Sequence, residues 1–135
     1  MSAKIFDGVH VRLTLERAAP GVVLVKLSGY DVGELGDAPL KALEKEIETP
    51  GLIELYVDAR ATKGASIEVS NQWALWLARN RSRFKSIRMA AGSRYVEMTA
   101  EFVRRFAELD DIMIVDTDPA VFDAALERSI RGGSQ

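Results

Sequence analysis

The chain reads as one α/β domain, a mixed and mostly parallel five-stranded sheet with four helices in the order ββαβαβαβα. Three observations predict it. From Val9 to Glu16, apolar Val9, Val11, Leu13 and Leu15 alternate with polar His10, Arg12, Thr14 and Glu16, the two-residue period of a strand with one buried face. The β-branched run Val22 to Leu27 follows the turn-forming Ala18, Ala19, Pro20 and Gly21, which makes a hairpin whose second strand is buried on both faces. Beyond it, helical and strand-like stretches take turns, the arrangement that lays helices over a sheet through crossover connections.

Each later element has its own signal. Asp37 followed by Pro39 opens the first helix, an acceptor for unpaired amides and then a ring whose missing N–H costs nothing at that position. Leu35, Leu40, Leu43 and Ile47 share its apolar face, and Pro50 with Gly51 ends it. Leu52 to Val57 is the third strand, with Asp58 at its end and a loop from Ala59 to Ala65. A helix from Ile67 to Arg79, a strand from Ser86 to Ala91, a helix from Tyr95 to Leu109 and a strand from Ile112 to Val115 come next. Asp118 and Pro119 cap the last helix, which carries Val121, Phe122, Ala125, Leu126 and Ile130. With 135 residues and neither linker nor repeat, a single domain is expected over the whole chain, its core from about 9 to 130 and a frayed tail from Arg131 to Gln135.

Composition narrows the chemistry. The absence of cysteine excludes disulfides, thiolate metal sites and cysteine nucleophiles. Met1 to Val9 lacks the apolar core of a signal peptide, and no stretch approaches the roughly 20 apolar residues of a membrane span. The expected location is the cytoplasm. A net charge of −2 gives no general attraction to nucleic acid. The only histidine, His10, has no second imidazole to join it, and it reads as a strand residue near the surface. No cofactor and no metal site are expected.

Ligands of open α/β sheets meet the loops at the carboxyl ends of strands. Gly64, Ala65 and Ser66 stand directly before a helix, so Ser66 either caps that helix or accepts a phosphate there. Ser93, after Gly92, repeats the arrangement before the next helix. Asp31, Asp37 and Asp58 read either as capping and solvated carboxylates or as a cluster at one edge, the setting for magnesium chemistry on phosphorylated substrates. Nucleophilic catalysis lacks a base near either serine, and nucleotide-binding glycine loops are missing. Arg79, Arg81, Arg83, Lys85 and Arg88 form a basic run, either a solvated face or a dock for an acidic partner or anionic lipid head groups. Trp73 and Trp76 lie three apart on the second helix, one for the core and one for an interface. Tyr95, Met98, Phe102 and Phe106 make one side of the third helix, a core face or a dimer surface.

The order of elements, the strand Leu52 to Val57, the loop closed by Gly64, Ala65 and Ser66, and the two-tryptophan helix together resemble the STAS domain, shared by sulfate transporters and bacterial anti-sigma factor antagonists. The likeness covers roughly Val9 to Ile130. In the antagonists an Asp-Ser-Ser-Gly loop carries a serine that a partner kinase phosphorylates, and Ser66 falls at its place, with Gly64, Ala65 and Ile67 in the other three. Ser28, Gly29, Tyr30 and Asp31 are similar to the sequence that closes the family's second strand. The resemblance implies a non-enzymatic regulatory module that binds a protein, an anti-sigma factor or kinase-like regulator, through Asp31, Asp58, Gly64, Ala65, Ser66, Trp76 and Ser93, switched by phosphorylation at Ser66. It is also similar to antagonist-like proteins without the serine pair, for which the alternative is a carrier of a small apolar or lipid-like ligand between the second and third helices.

Overall fold

The computed structural model describes residues 3–132. Its sheet has six strands, β1 Lys4–Asp7, β2 Val11–Ala19, β3 Val22–Asp31, β4 Ile53–Ala65, β5 Phe84–Ala91 and β6 Met113–Asp116, side by side in chain order. The helices are α1 Ala38–Glu46, α2 Ile67–Arg79, α3 Arg94–Phe106 and α4 Pro119–Gly132, and a 3₁₀ turn at Arg81–Arg83 precedes β5. The five strands expected become six because Lys4–Asp7 pairs antiparallel with β2. β2 and β3 are also antiparallel, whereas the β3–β4, β4–β5 and β5–β6 pairs are parallel.

Pro20 and Gly21 make the β2–β3 turn, with Gly21 at φ +75°, the left-handed backbone that proline-glycine turns require at their second central residue. After it, each crossover steps one strand in the same direction, so right-handed connections place α1, α2 and α3 on one face. There Leu13, Val23, Val25, Leu55 and Ile87 from the sheet meet Leu43, Trp76, Leu77 and Val103 from the helices. The opposite face has α4 alone, whose Phe122 and Ala125 pack on Val22, Leu24, Tyr56 and Ala90. β3 is thus buried on both sides, as its unbroken Val22–Val25 run predicts.

All four expected helices form, α2 with its bounds unchanged. Asp37 heads α1 without a side-chain capping bond and pairs instead with Lys41 at 3.4 Å. The last helix extends through Gly132, so Arg131 and Gly132 belong to it and not to a frayed tail, and residues 133–135 of that tail lie outside the described residues.

Candidate functional site

The largest departure from the sequence reading is β4, which continues through Asp58 to Ala65 where a loop was expected. Pairing of Ser28, Gly29, Tyr30 and Asp31 with Ala61, Thr62, Gly64 and Ala65 carries both strands outward together, so these backbone groups find partners without a loop. Thr62 adds its hydroxyl, which donates to the Gly29 carbonyl at 2.7 Å. Ser66 alone then joins β4 to α2.

The residues predicted at this edge divide. Asp31, Gly64, Ala65 and Ser66 do come together: the Ser66 amide donates to the Asp31 carbonyl at 2.8 Å, and the Asp31 carboxylate accepts the Gly33 amide at 2.9 Å. Ser66 caps α2, its hydroxyl oxygen accepting the Val69 amide at 3.2 Å, and Ser93 caps α3 through the Val96 amide at the same distance. Ser66 is half-buried, while the following Ile67 is 76% exposed, so the start of α2 is open to water. Gly92 brings Ser93 close to β4, because a Cβ there would stand 2.4 Å from the Arg60 carbonyl oxygen. Tyr30 and Tyr95 face each other beside Gly64; burial and then Tyr95 hold the Tyr30 hydroxyl above the usual tyrosine range.

Asp58 belongs elsewhere. One residue after the inward-facing Val57, it lies on the opposite face, where its carboxylate is gripped by Arg60 at 2.9 and 2.8 Å. Those hydrogen bonds, with the Lys26 charge nearby, hold it below the usual carboxylate range. Arg60 reaches on to Asp123 of α4 at 3.0 Å and lies over the Phe122 ring. Asp58 therefore fastens α4, and with Asp31 bonded to Gly33 and Ser66 and Asp37 at the head of α1, the three carboxylates do not form one cluster. No group of three metal-binding side chains occurs among the described residues.

Trp76 is also corrected. It is 2% exposed, packs edge-on against Phe84, and its indole N–H donates to Glu44 at 2.9 Å, so it joins α2 to α1 in the core and offers nothing to a partner. Trp73 is the half-buried member of the pair. The basic run is largely occupied within the fold: Arg81 bonds Asp111, Arg83 bonds the carbonyls of Ile47 and Thr49, and Arg88 pairs with buried Asp116 at 3.2 Å.

Between the sheet and the α2–α3 pair lies a cavity of about 100 Å³. Its walls are Val11, Leu27, Leu55 and Val57 of the sheet, Val69, Trp73 and Leu77 of α2, and Val96, Ala100 and Val103 of α3. Asp31, Gly64 and Ala65 line it too, which makes it continuous with the edge headed by Ser66. Thr62, Ser70 and Thr99 complete the few polar groups of the wall. Small side chains at Ala65 and Ala100 leave the space open. Nothing in the periodicity of α2 or α3 announces this, since the same residues read as ordinary core positions.

No family model matches this chain, and no curated protein matches it. A solved structure does: an uncharacterised protein of the DUF3478 family with a SpoIIAA-like fold, from Shewanella loihica PV-4, is similar with a TM-score of 0.64 at 14% identity. The similarity covers 91% of this chain and 99% of that one. The class of the protein is thereby defined at the level of architecture. This chain has the SpoIIAA-like fold.

Proposed function

We propose that this protein is a non-enzymatic binding module whose cavity between α2 and α3 takes a small apolar ligand. The observation that carries the reading is the cavity itself, apolar on nearly every side and in contact with the strand edge at Asp31 and Gly64. Apolar pockets with a few placed polar groups are the usual form of small-molecule sites. Its volume of about 100 Å³ sets the size of what enters, being about two thirds of the roughly 150 Å³ that a dry apolar cavity offers a benzene ring. A short branched group fits as the cavity stands, a single aromatic ring fits with a small parting of α2 and α3, and a whole lipid chain does not fit.

Titration of isotope-labelled protein with toluene tests the reading. Saturable amide shifts confined to α2, α3 and the sheet residues that line the cavity are expected, together with retention of a small ligand in native mass spectrometry of freshly purified material. Shifts that are absent or spread over the whole surface would sink it.

A second reading keeps the regulatory role, supported by the open start of α2 beside exposed Val32 and Ile67. In it a protein partner docks at this edge, and phosphorylation of Ser66 adds up to two negative charges at a helix N-terminus. Intact-mass measurement after incubation with kinases of the source cell decides: a chain that never gains a phosphate, with a Ser66→Asp variant that pulls down unchanged partners, removes the switch.

A further inference from the structure

Outside its buried face, α3 carries a second apolar stripe. Tyr95, Met98, Phe102 and Phe106 are 52%, 59%, 46% and 51% exposed. Spacings of three and four residues align them on one side of the helix, and the Phe102 and Phe106 rings stack with centroids 5.6 Å apart. Single exposed apolar side chains are ordinary, whereas a contiguous run along one helix marks an interaction surface.

The charges beside the stripe say what covers it. A shallow groove runs along α3 between Arg94, Glu97, Glu101 and Arg105. Glu101 is already neutralised by Arg104 of its own helix at 2.8 Å. Arg94, Glu97 and Arg105 have no ion-pair partner among the described residues. We propose that a second copy of this chain covers the stripe, its α3 lying antiparallel to the first across a two-fold axis near residue 101.

With that axis, positions equally far from 101 on either side face each other across the two copies. Glu97 of each copy meets Arg105 of the other. Arg94 reaches the far end of the opposing α3, where Glu108 and the last carbonyls supply negative charge. Tyr95 falls opposite Phe106, and Met98 opposite Phe102, each to within about two residues. One axis thus satisfies the apolar and the charge patterns together. A parallel pairing sets Glu97 against Glu97 and Arg105 against Arg105, which opposes it. The stripe offers about 400 Å² per copy, counting roughly half of each large side chain, which is less than the roughly 800 Å² of a standard interface. The dimer is accordingly concentration-dependent.

Sedimentation of the full chain from about 1 µM to about 1 mM tests the proposal, with the thermal melt of each variant showing that it remains folded. Wild-type protein shifts from monomer to dimer across that range, and Phe102→Glu stays monomeric. Glu97→Arg and Arg105→Glu each weaken the dimer by about tenfold, because each places two like charges opposite each other in the homodimer. An equimolar mixture of these two variants restores wild-type association, since the mixed dimer again sets an arginine against a glutamate at both contacts. A chain that is monomeric throughout overturns the proposal and assigns the stripe to a protein of different sequence. A dimer indifferent to Phe102→Glu overturns it as well, and failure of the mixture to restore association overturns the antiparallel axis.

Discussion

Tyr95 folds over Gly64 so closely that a Cβ on residue 64 would stand 2.4 Å from Cε2 of the tyrosine ring. The contact ties the first turn of α3 to the end of β4, at the rim of the cavity. Gly64 also has φ +136°, a backbone that side-chain-bearing residues rarely adopt.

Gly64→Ala is therefore expected to destabilise the fold by about 2 kcal/mol, most of it backbone strain, because half-exposed Tyr95 can swing aside. Urea unfolding checks this. Adding Tyr95→Ala to the glycine variant is expected to recover only the smaller, steric share.

Filling the cavity separates binding from stability. Ala100→Leu places a branched side chain in the space lined by Val69, Trp73 and Val103. Toluene binding is expected to fall at least about tenfold, while stability holds or rises by up to about 1.5 kcal/mol as cavity volume disappears. Calorimetric melting and the amide titration read the two effects independently.

The two tryptophans are expected to behave oppositely. Trp76→Phe loses the bond to Glu44 and part of a buried ring, costing about 1–2 kcal/mol in urea unfolding without changing ligand binding. Trp73→Phe costs less stability and alters the affinity, because Trp73 lines the cavity. In wild-type protein the fluorescence change on toluene addition should vanish with Trp73→Phe and survive Trp76→Phe.

Asp58 gives the fold a pH dependence on its acid side. Arg60 hydrogen bonds lower its folded pKa from the ordinary 3.8, so the ionised form is favoured in the folded state. That contribution is complete above the ordinary value and is lost as pH falls through the lowered one. Asp58→Asn is expected to cost about 1 kcal/mol at neutral pH. Its stability difference from wild type should shrink below about pH 4, as followed by urea titrations at a series of pH values.

How far the sequence exposed this molecule depended on whether local signals or tertiary contacts decide each element. The bounds of α2 were legible because Ser66 caps it and apolar residues run to Arg79. β1 was not, since Lys4–Asp7 holds two apolar residues and gains its structure only by pairing with β2. The outer half of β4, Ala-Arg-Ala-Thr-Lys-Gly-Ala, has weak strand propensity and is extended by β3 beside it. Which tryptophan would be buried could not be read either, because residues three apart share a face and the choice was made by Glu44 and Phe84 on other elements. At the site, the grouping of Asp31, Gly64, Ala65 and Ser66 was visible in outline. The place of Asp58 was not, because one residue of strand period moves a side chain to the other face.

The sheet's strands stand in the order in which the chain makes them, and this shapes assembly. Every strand after the first finds its neighbour already synthesised, so no gap is left for a later segment to thread. Winding can proceed from one side to the other as the polypeptide emerges, with a single growing front at each moment. A variant that weakens β2 or β3 should thus hinder everything that follows, whereas one in β6 leaves the earlier work standing.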